Sequence, residues 1–430
     1  MNVRHSHATI VSAILLVLGC STAIAAPPAK TMTVDCASGQ TIADALNKGN
    51  TDQPLLVIVR GSCSESVRID RSDITLRGDA GVGGSITGPD PSIDTVTVVA
   101  NRVSIEDLGI TGGRNGITGL GAAGLAVRNT TIQSTGRNGV SYADGSSGTV
   151  EGCTIQSNAR DGVSVEKASA VIINSTISSN SRAGVLIGTG GSARIGVDNR
   201  NRGVPRGAAD ATGNLISDNG GTGVNIITGG AAIVGMNQIT GNGTDPNSTA
   251  GRFGININQA TADIPGGNTI SGNVGSGINL RIGSANLGNP SFGFSTLNTI
   301  SENGSATSPG GISAFLGSAL VIRDATIGNN NGAGVLLNLR STAQLNSSTI
   351  SDNRAIAGGF CPGGNTCGDG IRLSLGSGLL SSFPPPPALA TPSTISGNDG
   401  AGIKCNDQES SAAIALGSLV TTQTNDCSFF

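Results

Sequence analysis

Four arginines crowd one short segment, RIGVDNRNRGVPRGAAD at residues 194–210: Arg194, Arg200, Arg202 and Arg206, set beside Asp198 and Asp210. Guanidinium groups gathered this way can hold a carboxylate, phosphate or sulfate through paired hydrogen bonds. The plainer reading is a charged surface loop in a Gly-rich chain. Other chemistry is closed off, because the only histidines, His5 and His7, lie in the first 25 residues.

Residues 1–25 read as an export signal. Arg4 supplies positive charge, Ile10 to Gly19 form a short apolar run, and Ala23-Ile24-Ala25 offers a cleavage site before Ala26. Cleavage there leaves no histidine, which removes His-assisted nucleophiles, His general bases and His metal sites. The expected location is secreted, either extracellular or periplasmic. Leu16-Val17-Leu18-Gly19-Cys20 also resembles a bacterial lipoprotein signal, which would put a lipid on Cys20 and anchor the chain to the outer membrane. The apolar run is too short for a membrane span, and no other stretch is long enough. A net charge of −3 gives no basic footprint for nucleic acid.

Seven cysteines lie beyond Cys20. Cys36 with Cys63, Cys361 with Cys367, and Cys405 with Cys427 each close a short local loop, and an oxidising compartment would join them. Cys153 is left over as a small buried residue. None of these spacings suits zinc, so no metal is expected.

What positions any functional group here is a repeat. Phrases such as TISSNSRAGVLI at 176–187 recur along the chain, with an apolar anchor at Ile110, Ile132, Ile155, Ile177, Ile216, Ile239, Ile270, Ile300, Ile327, Ile350 and Ile395. The base period is 22–23 residues, lengthened by insertions. Within a repeat, apolar residues alternate with period two, as in Val163 and Val165 against Ser164 and Glu166. Short strands that recur at this period pair with themselves in the next coil, which predicts an all-β solenoid, a parallel β-helix with three short sheets and about thirteen coils.

Three places after the anchor, Asn stands in nine of the eleven repeats, from Asn158 to Asn398. One coil apart, these amides would stack about 4.8 Å from each other and bond in a ladder. The Gly that follows four places later suits a backbone conformation that β-carbons disfavour. TIADALNK at 41–48 puts Ile42, Ala45 and Leu46 on one helical face, suited to capping the first coil. The expected organisation is a signal at 1–25, a cap with first strands at 26–66, and the β-helix at 67–430. Insertions fall at 188–213, 243–252, 281–297, 354–368 and 376–392; the last holds the polyproline run Pro384 to Pro387.

The cap helix, LLVIVRGSCSESVRI, DITLRG and the repeated anchor-Asn-Gly-Val phrase together resemble the right-handed parallel β-helix proteins of the pectin-lyase-like superfamily, over residues 33–430 or so. The resemblance implies a polysaccharide groove on the outer face of the sheet that begins at the Gly-Val pair. Its outward positions would be Ser164, Leu186, Asn225, Asn256, Asn279, Ser313, Leu336, Arg372 and Lys404, with Glu166, Asn258, Arg281, Asn338 and Asn406 in the next row. On that reading Arg281 and Arg372 pair with uronate carboxylates and the Asn amides with sugar hydroxyls, while a plain solvated face is the bland alternative. Arg202-Gly203-Val204-Pro205 is similar to the Arg-x-x-Pro signature of pectate lyases, in which an arginine acts as base, and it makes Arg202 and Arg281 the weak catalytic candidates. An arginine does so only where its surroundings hold it near neutrality, which its high pKa resists.

Departures from the family patterns count against catalysis. Polygalacturonase-like and epimerase-like sites need a histidine. A lyase-like calcium site needs clustered carboxylates, and Asp161 and Asp369, at equivalent places before a Gly, lie more than eight coils apart on this reading. Calcium therefore enters only under the lyase alternative, and no other cofactor is implied. The sequence points to a protein that binds an extracellular polysaccharide or other macromolecule without catalysis. A polysaccharide lyase-like enzyme and a passive rod are the alternatives.

Overall fold

The computed structural model describes residues 29–48, 53–197, 213–288, 296–305, 310–355, 368–381, 391–414 and 418–427. The export signal with Cys20, Arg200, Arg202, Arg206, the Cys361–Cys367 pair and the polyproline run lie outside them.

The chain winds as a right-handed parallel β-helix of three strand stacks, called sheets A, B and C in the order each coil meets them. One full coil is Ser169–Ile173 in sheet A, Thr176–Ser178 in sheet B and Val185–Gly188 in sheet C. Among the described residues sheet C holds fourteen strands: one after each of the eleven anchors, Val67–Ile69 and Val96–Val98 before them, and Asn425–Asp426 at the end. Every anchor isoleucine sits in one register file of sheet B, and all eleven are fully buried. No single coil could bury its apolar residues, so the interior exists only because neighbours stack.

Ser192–Ile195, Ser284–Leu287 and Gly378–Ser381 fall inside stretches expected as insertions, yet they are strands of sheet A.

The cap helix, Ile42–Lys48, buries Ile42, Ala45 and Leu46 over the first coil. Its N-terminal amides are satisfied by Glu65, whose carboxylate accepts from Ile42 N at 2.8 Å and Ala43 N at 3.2 Å. A Cys36–Cys63 disulfide fastens this end and Cys405–Cys427 the other, while Cys153 is a buried free thiol.

The asparagine ladder runs between sheets B and C. Each amide nitrogen donates to the next coil's amide oxygen, as from Asn180 to Asn219 at 3.0 Å and from Asn219 to Asn242 at 2.9 Å. The same nitrogen also bonds a backbone oxygen of the coil before, Ile177 O for Asn219 at 3.2 Å. Thr135 closes the ladder at its start and Gln423 at its end. The residue just before each ladder position is left-handed in all eleven repeats, from Gly112 to Gly397.

The glycine at the head of each sheet C strand has a different cause from the expected one. Gly162 is not left-handed; a Cβ there would stand 2.5 Å from Ile177 Cγ2 and 2.8 Å from Asn180 Nδ2. Close approach of the next coil excludes a side chain, and backbone conformation does not.

Candidate functional site

Sheet C places the sequence-identified row where expected. Ser164, Leu186, Asn225, Asn256, Asn279, Ser313, Leu336, Arg372 and Lys404 are mutual partners in one continuous register across nine strands. Asn258 and Arg281 are adjacent in the next row, and Arg281 pairs in register with Phe315.

The row is not an open solvated face. Ser164, Leu186, Asn225, Asn256, Ser313, Leu336 and Arg372 are buried, whereas Asn258 and Asn279 are half-buried and Arg281 is exposed. Alternation in a strand tells which face a side chain leaves, not what lies over that face. Three of the asparagines also bond to one another: Asn256 Nδ2 donates to Asn225 Oδ1 at 2.8 Å, and Asn279 Nδ2 to Asn256 Oδ1 at 2.7 Å. Arg372 is 2% exposed and its Nε donates to Asp369 Oδ2 at 2.6 Å. It serves the fold at this point. The groups that remain accessible are Asn279 and Lys404 in the first row and Glu166, Asn258, Arg281 and Asn406 in the second.

A second polar file borders this face at the turn that enters sheet C. Asp94, Asn115, Asn138 and Asp161 occupy it on successive coils, and all are buried. Asn115 Nδ2 donates to Asp94 Oδ1 at 3.0 Å and to Thr118 Oγ1, in the outward row, at 3.2 Å. Asn138 N donates to Asn115 Oδ1, Asp161 N to Asn138 Oδ1, and Ala183 N to Asp161 Oδ1.

Arg114, Arg137 and Arg160 directly precede Asn115, Asn138 and Asp161, and Arg182 precedes Ala183, whose N–H closes the file. Arg160 N donates to Arg137 O, and Arg182 N to Arg160 O, both at 2.9 Å, so these are stacked coil on coil. The sequence reading missed this file, although its signal is plain as RNGI, RNGV, RDGV and RAGV in four consecutive repeats.

The two ends of the file differ electrostatically. Arg114 grips Asp94 with Nε at 2.8 Å and Nη2 at 3.1 Å. Burial pushes the Asp94 carboxyl up, but hydrogen bonds from Arg114 and Thr118 and the Arg114 charge outweigh it and hold it below the usual carboxylate range. Asp161 is raised: burial dominates, and the pull of Arg182, the Ala183 N–H and Arg160 does not compensate, while Glu166 adds to the rise. Arg182 Nη1 is 3.8 Å from Asp161 Oδ2, too far for a hydrogen bond, and that oxygen is buried with no hydrogen-bond partner. Burial, then repulsion from Arg182 and Arg137, lowers Arg160.

Seven coil steps, not eight or more, separate Asp161 from Asp369. At about 4.8 Å per step they still cannot share an ion. Among the described residues, the one set of three potential metal ligands is Cys36, Cys63 and Glu65. Those cysteines are joined in a disulfide and Glu65 caps the helix, so the set does not fit a metal. A cleft of about 1020 Å³ lies along the outside of sheet A, lined mainly by small residues such as Ser169, Ala193 and Ser284. Of the residues singled out in the sequence it gathers Arg194 alone, with Asp263 and Arg323 also on its wall.

A family model for the right-handed beta helix region matches residues 56–201. No curated protein matches the chain. Among solved structures, the A-module of the mannuronan C-5 epimerase AlgE6 from Azotobacter vinelandii is 13% identical with a TM-score of 0.50, over 89% of this chain and 93% of that one. The catalytic unit of a GH87 α-1,3-glucanase from Streptomyces thermodiastaticus is also 13% identical, with a TM-score of 0.46 over 90% and 70%. Pectate lyase Pel9A is 12% identical, with a TM-score of 0.43 over 79% and 80%. At such identities the likeness is one of fold. By register, ladder and comparison alike, the chain folds as a right-handed parallel β-helix.

Proposed function

We propose that the protein binds an extracellular glycan along the outer face of sheet C and does not act on it chemically. The observation that carries this reading is the register of that face, which sets equivalent positions once per coil and leaves Asn258, Asn279 and Arg281 accessible in adjoining rows. A surface that repeats along one axis suits a ligand that repeats along one axis. Amides and a guanidinium supply the donors and acceptors that sugar hydroxyls and ring substituents need. Arg200, Arg202 and Arg206 stay in the proposal as candidates from sequence alone. The epimerase that shares the fold acts on a polysaccharide, a fold-level analogy that adds to the reading without carrying it.

Export through residues 1–25 places the protein outside the cytoplasm, free or held by a lipid on Cys20. The two disulfides suit an oxidising compartment. The mass of the mature N-terminus separates the two forms.

A lyase- or hydrolase-like activity has one observation in its favour: Asp161 is a carboxyl whose burial favours the protonated form, as a general acid requires. The experiment joins both readings. Retardation in gels containing alginate, pectate or neutral glycans, weakened about tenfold in Arg281→Ala, with no reducing ends or unsaturated product released, supports binding. Product release that Asp161→Ala abolishes would transfer the assignment to the enzyme, and no retardation by any glycan would leave a passive rod.

A further inference from the structure

We infer that Arg137, Arg160 and Arg182, with Asp161 among them, form a strip that recognises a polyanionic glycan. This rests on the binding reading above and names the charge class of its ligand.

Three guanidinium groups rise from adjacent coils whose backbones are bonded directly to one another. At a pitch of about 4.8 Å, like charges repel, and the repulsion is felt at Arg160. Arg114, one coil before, shows how the fold neutralises such a group when neutrality is all that is needed, since Asp94 grips it with both oxygens. The other three have no such partner. Arg137 is exposed and Arg160 half-buried, and neither forms an ion pair among the described residues. Arg182 Nε is buried without a hydrogen-bond partner.

Asp161 does not balance the three. Its side chain is 1% exposed, and its Oδ2 lacks a hydrogen bond although three arginines stand in the same file. Asn138, one coil earlier in the same position, shows the purely structural occupant: its amide oxygen accepts the next backbone N–H and carries no charge. An aspartate here costs the free protein desolvation and gains no close ion pair. An anion laid against the strip neutralises the guanidinium charges that Asp161, buried beneath them, leaves unbalanced. One cation per coil suits a polymer whose charges recur along its length, carboxylate in a uronan or sulfate in a sulfated glycan.

The test uses the full mature chain in affinity gels with alginate and polygalacturonate as carboxylate polymers, chondroitin sulfate as the sulfated one and dextran as the neutral one. A single-stranded DNA control is run alongside. We expect one or both anionic glycan types to bind, and the pattern names the anion. Arg137→Ala/Arg160→Ala is expected to lose at least tenfold in affinity and to show a shallower salt dependence, with its melting temperature unchanged. Undiminished polyanion binding by this double variant overturns the strip, as does equal retention of DNA. Binding to dextran that Arg281→Ala abolishes and the double variant leaves intact would preserve the glycan-binding face and remove the strip alone.

Discussion

Asp161 and Asp369 stand at the same place in their coils, in the phrases DGVSV and DGIRL, and they meet opposite fates. Both are buried, and both oxygens marked Oδ1 accept the backbone N–H of the residue one coil on, Ala183 at 3.0 Å and Ala401 at 2.9 Å. The difference lies three residues later. In the second phrase that position is Arg372, which turns back to bond Asp369 at 2.6 Å. In the first it is Ser164, and the nearest cation waits 3.8 Å from an oxygen with no hydrogen bond. The repeat fixes where a carboxyl goes; one side chain three places away decides whether both of its oxygens find a partner.

Removing that side chain is the largest effect expected. Arg372→Ala leaves Asp369 buried and unpaired, which costs about 3–5 kcal/mol. Chemical denaturation should show it as a lower midpoint at unchanged slope. A loss under 1 kcal/mol would mean that Asp369 is no strut, and the contrast with Asp161 would dissolve.

A neutral member of the scaffold gives the scale between the two. Asn219 donates to Ile177 O and Asn242 Oδ1, and accepts from the Asn180 backbone at 3.0 Å and the Asn180 amide at 3.0 Å. Asn219→Ala orphans buried groups on both neighbouring coils and should cost about 2–3 kcal/mol. The penalty has to be larger than that of any exposed member of the sheet C face, such as Asn258→Ala, for the ladder to be scaffold and the face to be surface.

The scaffold was far more legible in the sequence than the site. Anchor spacing, the ladder from Asn158 to Asn398 and the cap at Ile42 all follow from local rules that repeat many times, so each coil corroborates the next. A second ladder was written as clearly, in Asn214-Leu215-Ile216 and Asn298-Thr299-Ile300, and went unread. It bonds Asn214 to Asn237 at 2.9 Å and Asn268 to Asn298 at 2.8 Å, between sheets A and B. The site depends on what a period cannot express. Alternation sets Arg372 and Asn225 in one register row of sheet C, but it carries no information on how deeply that row is buried. The arginine file is periodic too, but each arginine taken singly has the character of ordinary surface, and only its stacking on the next coil sets it apart.

The smallest effect cuts closest to the contrast between the two aspartates. Asp161→Asn keeps the acceptor for Ala183 N, matches Asn115 and Asn138 in the same file, and removes the charge. At neutral pH the variant should be more stable than the parent by about 1–2 kcal/mol. The sign follows from burial, which lifts the Asp161 pKa in the fold against the pull of Arg182, the Ala183 N–H and Arg160, with Glu166 adding to the lift. Below the unfolded carboxylate pKa, both states hold the proton and the native state loses nothing. As pH rises through the raised folded value, the native carboxyl must keep its proton against the solution or ionise in a buried place, and stability from this group is lost. The gain from Asn should therefore be present at pH 7 and fade in acid. Thermal melts of both proteins across that range read it directly. An Asp161→Asn protein less stable at neutral pH would show that Arg160 and Arg182 already neutralise the carboxylate as Arg372 neutralises Asp369, and the two phrases would then be equivalent after all.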